Sequence, residues 1–246
     1  MAMDTPVVMV NGLIGCLDHP TFQRTLRPRK VFAPDLLGYG SLDDTPSTLV
    51  DIDAQVEHLR QILLARNLPY VHLLGHSVGG VVAMLFARRY PASVASVISV
   101  EGNFTLKDAF WSVSVARMAP VEAEALLQGY RDDASAWLAR SGIMADAGRL
   151  ALANQWLAHQ GAGTLQAMAR SVVAVTGVPG YLAELRTLFA TKPVHLVAGE
   201  HSRAGWDVPH WAEEQAASFT VLPRAGHLMM LEDPQGFANA IARLLD

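Results

Sequence analysis

The stretch "VHLLGHSVGGVVAML", residues 71–85, joins a short apolar run to a helix-like run through the pattern G-x-S-x-G. The run ending at Leu74 predicts a buried strand, and the run after Ser77 predicts a helix. Gly75 and Gly79 allow close approach of strand and helix around a tight turn, which places the serine at the carboxyl edge of a sheet. An isolated match is a weak signal, since a serine in such a turn can simply cap the helix. The rest of the chain decides whether Ser77 is a nucleophile.

Short apolar and β-branched runs alternate with longer segments that carry apolar side chains at helical spacing. The strand-like runs are "PVVMVNG", "KVFAPD", "YVHLLG", "VASVISVEG", "PVHLVAGE" and "SFTVLPRAG". This alternation predicts the α/β class, with a mostly parallel sheet covered by helices on both faces. It stops between about Asn103 and Thr191, where only helical patterns occur. We therefore expect a core of residues 1–102 and 192–246 and a packed helical insertion of residues 103–191.

Composition narrows the class of protein. The 246 residues suffice for one large domain, and 19 basic against 23 acidic side chains leave a net charge of -4, so no broad basic surface for nucleic acid is expected. No run is long and apolar enough to cross a bilayer, and "MAMDTPVVMVNG" lacks the pattern of a secretory signal, so we expect a cytoplasmic protein without a membrane partner. Cys16 is the single cysteine, which leaves no intrachain disulfide and no cysteine-based metal site. An oligomer is possible.

Two other loops are expected beside Ser77. "VMVNGLIG" ends the first strand at Asn11 and Gly12, and the backbone amide of Leu13 is the expected partner of the Val78 amide in holding a developing oxyanion. This assignment rests on position, because an amide donor has no side-chain signature.

The second loop, in "LPRAGHLMMLEDPQGF", carries His227 between the last strand and the last helix. The chain has nine histidines, and a single one is usually a structural residue. His227 differs from the others because it follows the serine in the chain and lies at a strand's carboxyl end, where ligand sites gather in open α/β sheets. We therefore expect it to act as the catalytic base.

In these features the chain resembles the α/β-hydrolase family. The resemblance rests on the glycine-flanked Ser77, the "NG" after the first strand, "PDLLGYGS" after the second and "AGHLMMLEDP" near the C-terminus, which occur in the family's order. It implies a parallel-stranded core, a Ser/acid/His catalytic set and a helical cap inserted after the strand that follows the nucleophile. Asn11 replaces the histidine that many members carry before this glycine, which leaves the backbone donor in place.

The catalytic acid is the open member of that set. Many family members place an aspartate shortly after the penultimate strand, where this chain has Ser202, and a neutral serine cannot compensate the charge of an imidazolium. Glu101 directly follows the apolar strand "VASVISV", where a carboxylate is costly to bury without a partner. Zearalenone-lactone hydrolases and some haloalkane dehalogenases of the family draw their acid from this strand end. Glu101 is therefore the first choice, and Asp207 and Glu200 are the alternatives.

The resemblance and these residues together predict a serine hydrolase that cleaves an ester or lactone of a small apolar substrate through an acyl-enzyme on Ser77. A carbon–carbon bond hydrolase, a lyase, a cofactor-free oxygenase or a ligand-binding receptor with slow turnover could use the same scaffold, because fold alone does not decide function. We expect no cofactor and no metal, since His201, Asp207 and His210 lack a recognised ligand spacing.

The insertion is rich in aromatic and methionine side chains, which favours an apolar substrate. Side chains at helical spacing more often form packing core than pocket, so each assignment is a hypothesis. The substrate-binding residues predicted on this basis are Phe104, Trp111, Met118, Trp137 and Trp156. Asn11 and Gly12, in the loop that carries the Leu13 amide (the oxyanion loop), are also predicted to bind the substrate.

Overall fold

A parallel six-stranded sheet forms the centre of the computed structural model, which describes residues 5–245. Its strands are β1 (Val7–Val10), β2 (Val31–Phe32), β3 (Val71–His76), β4 (Val94–Val100), β5 (Val194–Gly199) and β6 (Ser218–Leu222). Their order in the sheet is β2-β1-β3-β4-β5-β6, and every neighbouring pair is parallel. Each predicted strand is present, so the predicted α/β fold is confirmed.

Helices cover the sheet, and six of them follow one another in the stretch of sequence between β4 and β5. Those outside that interval are α1 (Pro20–Thr25), α2 (Ile52–Ala65), α3 (Val78–Arg89), α10 (His210–Gln215), α11 (Met229–Glu232) and α12 (Pro234–Leu245). The six within it are α4 (Phe110–Arg117), α5 (Pro120–Asp132), α6 (Ala134–Arg140), α7 (Ala147–Ala158), α8 (Ala162–Thr176) and α9 (Pro179–Thr191). Within residues 5–245, no helix combines the length and the apolarity that a membrane-spanning segment needs.

The helices of the insertion differ in what they contact. Helix α8 packs against α4 and α5 and also reaches α2 and α3, whereas α9 packs mainly against α3 and less extensively against both α8 and α10. Helix α9 thus joins the layer that covers the sheet. We propose that the cap proper consists of α4 to α8.

Strand order fixes where a ligand can bind. Strand β2 pairs with one edge of β1, and the chain then returns to form β3 on the opposite edge of β1. Loops after β1 and β3 therefore diverge, which opens a crevice at the carboxyl ends of these two strands. The predicted oxyanion loop and Ser77 follow those strand ends.

The tight turn at Ser77, between β3 and α3, explains why glycines occupy positions 75 and 79. Ser77 has φ 53° and ψ -123°, a strained conformation for a residue with a side chain, and its amide donates to the Val100 carbonyl at 2.9 Å. A Cβ on Gly75 would lie 2.2 Å from the Gly79 carbonyl oxygen, and a Cβ on Gly79 would lie 2.3 Å from the Val10 carbonyl oxygen. Only glycine fits at both positions, and the close packing holds the strained serine in place.

We expect Gly79→Ala to lower the free energy of unfolding by about 3 kcal/mol, because the added methyl group overlaps backbone that cannot move aside. Gly129→Ala is the matched control, since this α5 residue is exposed and has no described atom within 4 Å of an added Cβ. There the same change should raise the free energy of unfolding by up to about 1 kcal/mol through helix propensity. Urea unfolding of both variants measures the difference, and equal midpoints would contradict this account of the turn.

Candidate active site

Ser77, Glu101 and His227 meet at the carboxyl edge of the sheet. Ser77 follows β3, Glu101 follows β4, and His227 lies in the loop between β6 and α11. The Nδ1 atom of His227 is 2.5 Å from Oε2 of Glu101, and both Ser77 and His227 line one cavity. The side chain of Glu101 is 4% exposed and that of His227 is 43% exposed, so the imidazole connects a buried carboxylate to the cavity.

The surroundings of Glu101 keep its carboxylate charged. Its other oxygen, Oε1, accepts hydrogen bonds from the Gly199 amide at 2.9 Å and from the Ser202 hydroxyl at 2.5 Å. Burial acts to raise the pKa of Glu101, but the hydrogen bonds from His227, Ser202 and Gly199 outweigh it and hold the pKa below its ordinary value. An ionised Glu101 can fix the tautomer of His227 and stabilise its imidazolium form.

The two alternative acids contact other groups. Asp207 accepts a hydrogen bond from the Thr105 hydroxyl at 2.7 Å and lies 3.8 Å from the ammonium nitrogen of Lys107. Glu200 accepts from the amide of Arg224 at 2.6 Å. Both carboxylates therefore hold loops together, and the geometry favours Glu101 as the partner of His227.

Two backbone amides are available for an oxyanion. Leu13 lines the cavity, and Val78 is the first residue of α3, where helix amides have no partner within the helix. Among the described residues, neither the Leu13 nor the Val78 amide nitrogen has a hydrogen-bond acceptor. Both remain free to bind negative charge that develops beside Ser77, and the helix dipole adds to the attraction.

His76, directly before Ser77 in the chain, also lines the cavity. Its Nε2 atom is 3.0 Å from the carbonyl oxygen of His227, and the two imidazole centroids are 4.6 Å apart. Burial, followed by the nearby charge of His227, lowers the pKa of His76 to about 3, so the ring is neutral at pH 7. A carbonyl oxygen can only accept, so Nε2 carries the proton and donates it, which fixes the backbone of His227. The available sequence signal was a histidine beside the nucleophile.

The cavity has a volume of about 530 Å³ and lies between the sheet edge and the cap. Two of the predicted pocket residues, Trp111 and Trp137, line it. Tyr130, Arg140 and Phe110 also line it. The Arg140 guanidinium carbon is 5.5 Å from the centre of the Tyr130 ring, and the Phe110 side chain is 69% exposed. Phe110 and Tyr130 share the general aromatic signal of the insertion, but the sequence does not mark which of its side chains meet the cavity, because that depends on how the helices pack.

The other predicted pocket residues do not line this cavity. Phe104 is fully buried, with ring centroids 5.9 Å from Trp206 and 6.3 Å from Phe189. Met118 is partly buried against the hydrophobic core, and Trp156 packs in the interior at 2% exposure. All three side chains serve packing, Phe104 from a loop, Met118 from the end of α4 and Trp156 from α7, so this cavity does not favour them as substrate contacts.

The predicted contacts at the start of the oxyanion loop do not line the cavity either. Asn11 is 4% exposed and donates its side-chain amide to the Gly12 carbonyl at 3.0 Å, which shapes the loop. A Cβ on Gly12 would lie 3.1 Å from Nδ1 of His76 and 3.2 Å from Cβ of Ser77. Gly12 thus lets the loop pass close to the nucleophile, and both residues act on the loop's shape.

Comparison with known proteins identifies the family of the chain. Residues 7–240 match the model of the alpha/beta hydrolase family. The chain belongs to this family. A thermophilic esterase from Thermogutta terrifontis has a similar structure, with a TM-score of 0.69 and 19% identity over 98% of this chain and 89% of that one, a likeness that shows the fold alone.

Curated relatives match only part of the chain. Lipase 1 of Psychrobacter immobilis is 30% identical over 114 residues, which cover 46% of this chain and 34% of the lipase. The 2-hydroxy-6-oxo-2,4-heptadienoate hydrolase of Pseudomonas putida is 33% identical over 111 residues, 42% of this chain and 40% of that enzyme. The chain thus matches well under half the length of either relative.

We expect Glu101→Gln to lower kcat for p-nitrophenyl acetate about 10³- to 10⁴-fold, because a neutral amide neither fixes the required tautomer of His227 nor stabilises its charge. Glu200→Gln is the matched control and Asp207→Asn tests the second alternative. Both should stay within about threefold of the wild-type kcat, since neither carboxylate contacts His227. Steady-state kinetics of the three variants decides the assignment, and a large loss in Asp207→Asn with little in Glu101→Gln would reverse it.

Proposed function

We propose that this protein is a serine hydrolase that cleaves an ester or lactone of a small, largely apolar substrate through an acyl-enzyme on Ser77. The observation that carries the proposal is the 2.5 Å contact between His227 and the buried Glu101 in a cavity that Ser77 also lines. A base oriented by a carboxylate beside a serine on a strained turn is the arrangement that activates a hydroxyl nucleophile. Membership of the alpha/beta hydrolase family and the matches to lipases support it.

In this mechanism, Nε2 of His227 removes the proton from the Ser77 hydroxyl as its oxygen attacks the carbonyl carbon of the substrate. The amides of Leu13 and Val78 bind the oxyanion of the tetrahedral intermediate. His227 then gives its proton to the leaving alkoxide, which departs as an alcohol and leaves the acyl group on Ser77. A water molecule, deprotonated by His227, attacks the acyl carbon. The bond to the Ser77 oxygen then breaks, His227 returns the proton to that oxygen, and the acid is released.

The cavity supports a small substrate with a largely apolar body. Its volume of about 530 Å³ lies within the range of about 300–1,000 Å³ that small-molecule sites occupy. Its cap side presents Phe110, Trp111, Tyr130 and Trp137, whose rings favour apolar groups. An acyl chain much longer than the cavity would have to extend past the cap into water.

A second candidate is hydrolysis of a carbon–carbon bond. The 33% identical segment of the Pseudomonas putida hydrolase favours it, because that relative is named for a substrate with a ketone and a carboxylate. Arg140 in the lining supplies a cation that a carboxylate could approach. In that reaction Ser77 and His227 would act on a ketone substrate rather than on an ester.

We expect the wild type to release p-nitrophenol from acetyl and butyryl esters and to slow markedly for palmitoyl esters, because the cavity limits acyl length. Ser77→Ala should reduce kcat at least about 10³-fold by removing the nucleophile. Spectrophotometric assays across the ester series measure both effects, with mass spectrometry of intact protein detecting the acyl group on Ser77. Thermal melting of Ser77→Ala serves as the control for folding.

The second candidate predicts a different result in the same set of assays. A folded wild type that leaves every ester and lactone intact yet consumes 2-hydroxy-6-oxo-2,4-heptadienoate would replace the ester hydrolase with a carbon–carbon bond hydrolase. Inactivity on all of these substrates, with ligand-dependent stabilisation alone, would point to a binding protein.

A further inference from the structure

The oxyanion loop, residues 11–17, is held by the cap as well as by the core. The amide of Gly15 donates to Oε1 of Gln160 at 3.2 Å. Gln160 lies between α7 and α8 and is 1% exposed. A buried side chain of the cap therefore bonds directly to the backbone of the loop that carries the Leu13 amide.

The cap also packs directly against the backbone of this loop at Gly15, which has no side chain. Gly15 has φ 121°, in the region that favours glycine. A Cβ at this position would lie 2.6 Å from the Trp156 ring. Trp156, in the last turn of α7, thus covers the loop backbone itself, which accounts for its burial away from the substrate cavity.

A core residue holds the loop next to the same point. The Tyr39 hydroxyl donates to the Leu13 carbonyl at 3.3 Å. Tyr39 also forms an isolated antiparallel bridge with Gln160, and the amide of Gly40 donates to the His159 carbonyl at 2.8 Å. Because peptide units are planar, fixing the Leu13 carbonyl and the Gly15 amide fixes the two peptide units that directly follow the Leu13 amide.

Gln160 is itself held on the cap side. The Arg131 guanidinium donates to the Gln160 carbonyl at 2.7 Å and to the Leu157 carbonyl at 2.9 Å. The side-chain Nε2 of Gln160 is buried without a partner among the described residues, which is an unfavourable arrangement. Packing alone would be served better by an apolar residue, so the acceptor oxygen toward Gly15 is the feature that explains a glutamine here.

We infer that Gln160 is a positioning residue for the oxyanion hole, which makes the cap a part of the catalytic assembly as well as a cover over the cavity. The inference rests on the proposed function, since it assigns a role within that reaction. Gln160 acts through the loop, and its effect should fall on the transition state rather than on substrate binding.

Gln160→Leu removes the acceptor at nearly constant volume, and we expect it to lower kcat for p-nitrophenyl acetate roughly tenfold, the net effect of one buried hydrogen bond, with KM changed less than about twofold. The inhibition constant of phenylboronic acid, which forms a tetrahedral adduct with a serine, should rise by a similar factor. Tyr39→Phe, which deletes only the hydroxyl that binds the Leu13 carbonyl, should lower kcat severalfold in the same way.

Gln166→Leu is the matched control. Gln166 is also a buried cap glutamine, at 5% exposure, but its amide donates to the Met118 and Val115 carbonyls at 2.5 and 3.4 Å, inside the cap. We expect this variant to keep the wild-type kcat. A loss of kcat equal to that of Gln160→Leu, or a Gln160→Leu effect confined to KM, would overturn the inference and leave Gln160 a structural residue.

Amide hydrogen exchange separates failure of this inference from failure of the proposed function. Peptides that cover residues 11–17 should exchange faster in Gln160→Leu than in the wild type and at an unchanged rate in Gln166→Leu. This readout needs no turnover, so it holds even if the wild type cleaves no ester. Unchanged exchange in Gln160→Leu would show that Gln160 does not hold the loop.

Discussion

A buried carboxylate that must be paired is the constraint on which the site depends. Glu101 is 4% exposed, and an ionised group at that depth is tolerated only with several donors. Its donors come from separate segments: His227 from the loop after β6, Gly199 from the end of β5, and Ser202 from the loop after β5. One charge thus connects β4, β5 and the histidine loop at the edge where Ser77 lies.

The same edge also concentrates conformational strain. Ser77 and Glu101 both have positive φ, 53° and 45°, on neighbouring strands. Such backbone is costly for residues with side chains, and it persists where the surroundings over-determine it. Here the amide of Ser77 is held by the Val100 carbonyl, and the amide of Glu101 by the Val197 carbonyl at 3.0 Å. Each strained residue is therefore fixed to the adjacent strand, which sets the positions of Ser77 and Glu101 relative to one another.

Most of the fold and the identity of the central residues could be predicted from sequence, because both depend on local patterns. Strands show as short apolar runs, and Ser77 is marked by glycines that its turn requires sterically. Glu101 could be ranked first because a carboxylate after an apolar strand needs a partner. The pocket could not be predicted in this way, since Trp111 and Trp156 look alike in sequence while the packing of the cap directs one toward the cavity and the other onto Gly15.

The position of Glu101, the proposed acid, has a consequence for the cap. In many family members the loop after the penultimate strand carries the acid, whereas here Ser202 in that loop only donates to Glu101. Other side chains of this loop bind the start of the insertion, since Asp207 accepts from Thr105 and the Trp206 indole donates to the Gly102 carbonyl at 2.8 Å. Because both contacts reach the segment that leads from Glu101 into α4, the loop after β5 anchors the entry to the cap. The cap is thus tied to the core on two sides of the site: its entry is held at Gly102 and Thr105 beside Glu101, and Gln160 is bonded to the loop of residues 11–17.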